Sequence, residues 1–571
     1  MNLLIKYLRP RFGRICVGLL IKFGGTMMDL LIPYILAYII NDITPLRQSG
    51  QVWLWGGIML ICSFFASFGN ITANRMAARV ARDTTEQLRN DLFTKVSHLS
   101  NSQIDQFTIP SLISRLSTDT YNLHRMVGMI QRMGIRAPIM IIGGIILTMT
   151  LDPVLALILT CSLPLLFVIV FNVSRTAIPL FRQAQKISDR LVRVVREMAT
   201  GIRVIKALSK TEYEEEHFRT VNREVVKAET RASTTMSLSR PAMNLILNAG
   251  LVLVIWVGAY RINGGAAEAG DLIAFQTYFN LILGAVMGMN RIITEFTKAL
   301  ASADRIQAVL DAPEDLLVKP ELPAVRDEEH VVFDKVCFSY NKTQDNISNI
   351  SFTLKQGETL GIIGPTGAGK STLAQLLMRF YDVDSGAIRI HGRDIRSMTD
   401  EELRTQFGVV FQNDVLFRGD IFENINLGRD LTETEVLTAA EHAQAASFIE
   451  AAGGLTAPVS AKGTNFSGGQ KQRMLIARAL AKKPEILILD DSSSALDYKT
   501  DAAMRQVIRQ YFDGTTTVII AQRISSIKHA DHILVLEDGE ALGYGTHEEL
   551  MKTCGLYQEI AHLQMGEGGE D

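Results

Sequence analysis

Two neighbouring carboxylates, Asp490 and Asp491, end the apolar run Leu487-Ile488-Leu489, and a string of serines follows. An acid at the end of a buried strand is suited to holding the metal of a metal–nucleotide complex. Its natural companion stands upstream, in TLGIIGPTGAGKST (359–372). Gly364, Gly369, Lys370 and Ser371 fit the pattern G-x-x-x-x-G-K-[ST] between an apolar strand and a helix start. The loop Gly364, Pro365, Thr366, Gly367, Ala368, Gly369 can wrap phosphates with bare backbone N–H groups. The helix that opens at Lys370, Ser371 and Thr372 adds its positive end. Lys370 would reach the β- and γ-phosphates, and Ser371 would give its hydroxyl oxygen to Mg²⁺. Asp490 would complete the shell of that ion. The predicted chemistry is the binding of ATP with Mg²⁺. Why a second acid, Asp491, follows the first is not answered by this pattern.

Such a strand–loop–helix needs a soluble α/β domain, but that domain is only part of the chain. The sequence has 571 residues, too many for one ordinary domain, and 47% of them are hydrophobic. Nearly all the long apolar runs lie before residue 300. Six are predicted as membrane spans, at approximately 15–41, 52–75, 126–150, 152–177, 240–261 and 270–295. VWLWGGIMLICSFFASFG (52–69) and PAMNLILNAGLVLVIWVGAY (241–260) carry no charge, and about 20 apolar residues cross the hydrocarbon core. The first apolar segment is too long for a removed signal peptide and lacks a small-residue cleavage site, so it reads as a span. Lys and Arg gather before the first span and in the long stretches 76–125 and 178–239. By the positive-inside rule those stretches and both termini are expected in the cytoplasm, in a multi-pass protein of the cytoplasmic membrane in contact with its lipid. The long stretches have helical periodicity and should project from the bilayer as helical extensions.

Polar residues inside the spans are exceptions that need a reason. Lys22 and Asp29 are seven apart and share a helix face. A charge near mid-membrane costs about 2.5–3.5 kcal/mol on insertion scales, so each should face a cavity or a partner helix. Met27, Met28, Met129, Met133, Met140, Met243, Met287 and Met289 could line an adaptable pocket or simply pack. The net charge of −2 gives no sign of a nucleic-acid surface, and none is expected as a partner. The five cysteines are scattered without CxxC or metal spacing.

DAPEDLLVKPELPAVRDEEH (311–330) is rich in Pro and charge without a period and reads as a linker. The predicted organisation is α + α/β. A six-helix transmembrane domain with long cytoplasmic helical extensions occupies 1–310. The linker 311–330, a P-loop α/β nucleotide-binding domain at 331–565 and a flexible tail at 566–571 follow.

NFSGGQKQR (465–473) makes a family likeness specific. The chain resembles ATP-binding cassette exporters over its whole length. The matching parts are the signature Ser467-Gly468-Gly469-Gln470, the P-loop at 364–372, the Walker-B strand 486–490 and the D-loop SALD (494–497). The resemblance implies that Tyr340 stacks on adenine and that Gln412, in the Q-loop, joins Ser371 and Asp490 around Mg²⁺. It implies coupling helices near 102–110 and 208–218. It also implies that the signature closes over the ATP of a facing cassette. A chain with one cassette is then half of a dimer, and acts as an ATP-driven translocase.

Two positions depart from the family pattern. The residue after the Walker-B acid is usually Glu, which polarises the attacking water, and here it is Asp491. The switch histidine is replaced by Gln522, which can hydrogen-bond but carries no proton charge. Phe466 stands where Leu is usual, and APVSAKGT (457–464) lacks a frequent acid before the signature. An intact signature beside a degenerate catalytic pair resembles one half of a heterodimeric exporter with unequal sites. The expected function is ATP-driven export of a hydrophobic or amphipathic compound, drug-like, peptide or lipid. The alternatives are a homodimeric exporter with two slow sites, and a lipid flippase or regulatory membrane ATPase.

Overall fold

The computed structural model describes residues 2–325, 329–492 and 496–565. The expected tail 566–571 therefore lies outside the described residues, as do 326–328 of the linker and 494–495 of the D-loop. The chain forms two compact units, Met1–Ser97 with Pro110–Asp311, and His98–Ile109 with Ala312–Asp571.

The first unit is helical. Six helical stretches are long and apolar enough to cross a membrane: Leu3–Leu46, Ser49–Ser97, Ile109–Leu151, Pro153–Ala207, Thr211–Asn263 and Ala269–Val286. The Ser49–Ser97 helix has 49 residues and the Pro153–Ala207 helix has 55. At about 1.5 Å per residue both run well past a hydrocarbon core of about 30 Å. The start of Pro153–Ala207 is fixed by sequence. Asp152 caps it, accepting from the N–H groups of Val154 at 2.8 Å and Leu155 at 3.1 Å, and proline takes the first turn. Arg261 Nε donates to the other Asp152 oxygen at 2.8 Å, which ties this turn to the end of the Ser239–Asn263 helix.

Close backbone approach and polar ties hold the spans together. A Cβ on Gly69 would lie 3.3 Å from Gly25 Cα, so two glycines let the Phe12–Tyr38 and Ser49–Ser97 helices touch. Nearby, Asp29 accepts from Asn70 Nδ2 at 3.0 Å and from Arg136 at 3.1 Å. Lys22 is 2% exposed and donates to Asn74 Oδ1 at 3.0 Å. The two charges on one helix face thus each engage another helix rather than each other.

The second unit is built on strands β1 (Val331–Phe338), β2 (Ile347–Leu354), β3 (Thr359–Ile363), β4 (Ser385–Ile390), β5 (Arg393–Asp394), β6 (Phe407–Val410), β7 (Gly419–Asp420), β8 (Pro458–Val459), β9 (Ile486–Asp490), β10 (Thr516–Ile520), β11 (His532–Glu537) and β12 (Glu540–Gly545). One sheet has the order β2-β1-β4-β5, a second β12-β11-β3-β10-β9-β6, and β7 pairs with β8. In the second sheet β10 lies parallel between β3 and β9, with Ile520 opposite both Ile362 and Asp490. Every residue of β9 is buried, as a two-sided parallel strand requires, which explains its unbroken apolar run.

The segment 98–109 belongs to this unit by its contacts, not to the helices that flank it in sequence. Its Asn101–Phe107 helix opens with a capping box between Ser100 and Gln103. Ser100 Oγ donates to Asp315 at 2.6 Å, Gln103 Nε2 donates to the Pro313 carbonyl at 2.5 Å, and Tyr381 OH donates to Asp105 at 2.7 Å. In the stretch near 208–218 expected to hold a second such helix, Leu208–Lys210 form a turn and the Thr211–Ser237 helix then begins.

Arg379 is buried and anchors the chain entering the domain. Its Nε donates to Asp382 at 2.9 Å and its Nη2 to the Leu317 carbonyl at 2.7 Å. Arg379→Met leaves both acceptors without their donor. We expect a loss of about 2–4 kcal/mol from the nucleotide-binding unit, read as a lower calorimetric transition in the full-length chain. The transition is assigned by its upward shift with ATP.

Candidate functional site

A cleft of about 280 Å³ opens at the carboxyl ends of β3, β9 and β10. Ligands of open α/β sheets bind at this edge. The loop after β3 shapes one wall. At Gly364 the backbone has φ 155°, and a Cβ there would lie 2.0 Å from the Leu536 carbonyl oxygen, so no other residue fits. Gly367 and Gly369 are left-handed, at φ 89° and 93°, which turns the chain into the Lys370–Leu377 helix. Lys370 Nζ folds across the loop and donates to the carbonyls of Gly364 at 2.9 Å and Pro365 at 2.8 Å. Burial pushes its pKa down, and Asp490 and Asp491 act against that shift.

The opposite wall carries the paired acids. Asp490 is buried and accepts from the Ser371 hydroxyl. Burial raises its pKa, and the neighbouring Asp491 charge raises it further. A hydroxyl and a carboxylate converging from two elements are the hard oxygen donors that Mg²⁺ takes. When bound, such an ion neutralises charge on phosphate oxygens.

Asp491 has φ 49°, a left-handed conformation that aspartate tolerates better than longer side chains. Its N–H donates to the Ile520 carbonyl at 2.9 Å. Gln522 Nε2 donates to its carboxylate at 2.9 Å, and Gln412 also bonds to it. Burial raises the Asp491 pKa, and the Gln412 hydrogen bond, with the charges of Lys370 and Arg523, opposes the shift. Gln412, which the sequence placed around the metal with Asp490, is thus engaged by the second acid. Gln522 is itself held through its carbonyl, which accepts from Gln564 Nε2 at 2.8 Å.

Tyr340 stands at the rim of the cleft. Its hydroxyl lies 3.2 Å from Thr372 Oγ1 and donates to Gln375 at 2.9 Å. Its ring meets Tyr381 edge-on at 5.2 Å. Tyr381 is the residue bonded to Asp105, a link that no local pattern in the sequence announces.

The cleft therefore gathers Tyr340, Thr366, Gly367, Gly369, Lys370, Ser371, Thr372, Gln412, Asp490, Asp491 and Gln522. Asn346, Ile520 and Ala521 join them without having been singled out by sequence. Ser467, Gly468, Gly469 and Gln470 do not line it. They begin the Gly468–Leu480 helix, where Ser467 Oγ accepts from the Gln470 N–H at 3.3 Å and Gln470 Oε1 accepts from the Ser467 N–H at 2.9 Å. Phe466 packs against the core, 6.3 Å from Phe448, which accounts for an aromatic at that position. Asp497, the last D-loop residue, caps the Tyr498–Tyr511 helix by accepting from the Thr500 N–H at 2.9 Å.

A second cavity, of about 520 Å³, lies in the helical unit. Lys22, Asn74, Arg132, Arg136 and Asn280 meet Met129, Met133 and Met140 there. Asp29 is outside this lining. Three of the eight methionines considered from sequence reach it. Among the others, Met243 is buried, and the side chain of Met287 lies outside the described residues.

The comparisons with known proteins follow this division. Residues 15–286 match the ABC transporter transmembrane region, and residues 347–494 match the ABC transporter family. The uncharacterized ABC transporter ATP-binding protein YfiB of Bacillus subtilis is 35% identical over 572 residues, with 99% of each chain covered. The uncharacterized ABC transporter ATP-binding protein Mb1304c of Mycobacterium bovis is 33% identical over 569 residues, with 98% of each covered. The chain belongs to the ABC transporter family. Its fold matches that of a bacterial Atm1-family ABC exporter with ATP bound, at a TM-score of 0.81 and 26% identity, over 99% of both chains. It is an ABC exporter half-transporter, a multi-pass membrane protein with its transmembrane region fused to an ATP-hydrolysing domain. Half-transporters of this family function as dimers.

Two outcomes are expected at the cleft of this half-transporter. Asp490→Asn should weaken Mg²⁺-dependent ATP binding at least tenfold, while binding measured in EDTA changes little. Because burial raises both acids, protons compete with a cation there at higher pH than at an ordinary carboxylate. Acidification should lower the Mg²⁺-dependent part of ATP binding first. Equilibrium binding of labelled ATP across pH, with and without Mg²⁺, checks both.

Proposed function

We propose that this chain is the catalytically weak half of a heterodimeric exporter. It would move an amphipathic compound out of the cytoplasm, with both of its own termini on the cytoplasmic side. The observation that carries this reading is the contact between Asp491 and Gln522 at 2.9 Å. The family's water-polarising glutamate and switch histidine are both absent, and their replacements bind each other. One methylene less withdraws the carboxylate by roughly an ångström, and a misplacement of that size can cost about a hundredfold. The amide of Gln522 occupies the acid without being able to carry a proton charge.

In this reading Lys370, Ser371, Asp490, Gln412 and Tyr340 retain ATP and Mg²⁺. Ser467, Gly468, Gly469 and Gln470 serve the ATP on a partner chain that bears Glu and His. The cavity of the helical unit supports an amphipathic substrate. It joins methionines to Lys22, Arg132 and Arg136, with Asp29 offsetting only part of that charge. A compound with an apolar body and an anionic group fits such a lining.

Steady-state ATPase of the purified homomer tests the proposal. The wild-type homomer should bind ATP and turn over slowly. Asp491→Glu with Gln522→His should raise turnover at least tenfold, since the homomer's own signature is intact. A wild-type homomer as fast as the double variant would instead establish a working homodimer. In the heterodimer, Lys370→Ala should slow the cycle without stopping it. Gly468→Asp, which sets a negative charge against the partner's γ-phosphate, should reduce hydrolysis to background.

A further inference from the structure

We propose that His330, His391 and Glu485 form a transition-metal site of the zinc class in the nucleotide-binding unit, separate from the nucleotide cleft. One donor atom from each of the three side chains lies within 4.8 Å of the others. The backbone brings them together. His330 directly precedes β1 and His391 lies in the turn after β4, where its N–H donates to the His330 carbonyl at 2.9 Å. Their rings therefore lie side by side, with centroids 4.2 Å apart. Glu485 directly precedes β9, and its carbonyl accepts from the Thr516 N–H at 2.9 Å. The hydroxyl of the same Thr516 lies 2.6 Å from His330 Nδ1.

His330 is the residue that needs a ligand. It is 2% exposed, and its Nε2 is buried without a hydrogen-bond partner. A buried ring nitrogen in that state is costly and uncommon. Thr516 Oγ1 already accepts from the Gly357 N–H at 3.2 Å and has the Lys355 carbonyl at 3.3 Å for its own proton. With Thr516 Oγ1 accepting from His330 Nδ1–H, Nε2 is the lone pair that the proposed ion would take. A metal-binding imidazole is held in this way by a partner on its other nitrogen. Burial, with His391 adding to it, pushes the His330 pKa down to about 4, so the ring is neutral at neutral pH.

The remaining geometry suits a small four-coordinate ion. His391 Nε2 and Glu485 Oε2 are 3.3 Å apart. Bonds of about 2.0–2.1 Å at a tetrahedral ion separate ligand atoms by about 3.3 Å, so one edge already has the required length. His391 and Glu485 are 49% and 52% exposed, and their rotation can shorten the other edges. Two imidazoles with one carboxylate favour Zn²⁺, Co²⁺ or Ni²⁺ over Mg²⁺. The site is also remote from the cleft. Glu485 precedes the first residue of β9 and Asp490 is its last, about 16 Å away along an extended strand. An ion here would join the β1–β4 pair to the starts of β9 and β10.

The test uses the full-length chain in detergent, purified without a histidine tag, stripped of metal and held in excess Mg²⁺. Co²⁺ is titrated by its visible absorption, and Zn²⁺ by competition and by the thermal transition. The wild type should bind one ion per chain with a tetrahedral Co²⁺ spectrum, and Zn²⁺ should raise its melting temperature. His391→Ala and Glu485→Gln change exposed side chains. Each should weaken binding roughly a hundredfold and abolish the thermal shift, while ATP binding with Mg²⁺ stays at the wild-type level. No Co²⁺ binding by the wild type would overturn the proposal, as would equal binding by both variants. Loss of Mg²⁺–ATP binding in step with loss of Co²⁺ would place the ion in the nucleotide cleft and also overturn it.

Discussion

The pairing of β10 between β3 and β9 is the constraint on which the nucleotide cleft depends. The three strands are parallel and in register, so their carboxyl ends finish at one level. The phosphate loop leaves β3, the two acids end β9, and Gln522 follows β10. None of these segments is near another in sequence. A slip of one residue between β9 and β10 would turn every β9 side chain to the opposite face of the sheet and carry Asp490 away from Ser371. The apolar runs LGII, ILIL and TVII are therefore part of the site, because burial of those side chains fixes the register that aligns the polar groups beyond them.

In the helical unit the corresponding constraint is polar. Lys22 with Asn74, and Asp29 with Asn70 and Arg136, connect neighbouring spans through polar contacts inside the helical unit. Water in a hydrocarbon layer does not compete for such groups, so each tie selects one rotation of a helix about its axis. The same residues bring positive charge to the wall of the cavity, so packing and cavity chemistry are set by one group of side chains.

Much of this was legible in sequence because its physics is local. A glycine-rich loop between strand and helix, uncharged runs of span length, and a capped Ser-Gly-Gly turn each announce themselves within about 20 residues. Pairings across the fold were not legible. Gln412 was placed with Ser371 and Asp490 and lines the same cleft, but its bond to Asp491 is a pairing that no pattern along the chain announces. Arg132 and Arg136 fall inside the predicted span 126–150 without any pattern that marks them, yet they reach the cavity that Lys22 lines. A coupling helix was expected near 102–110 and the Asn101–Phe107 helix lies there, but its partners Pro313, Asp315 and Tyr381 carry no mark of it in sequence. His330, His391 and Glu485 have no common motif, because strand pairing alone makes them neighbours.

The cap at Ser467 has a consequence for how an anion could be received there. The helix takes one lone pair of the hydroxyl oxygen, through the Gln470 N–H. A serine hydroxyl has two lone pairs and one proton, so the proton remains uncommitted to the cap. The helix thus clamps the oxygen while its O–H remains a rotor that can swing outward. An incoming phosphate need not break the existing contact to collect this donor, and little reorganisation is required of the turn. Aspartate or asparagine would serve the helix equally well as a clamp, but neither supplies a rotating hydroxyl proton. Serine is the residue that does both jobs with one atom.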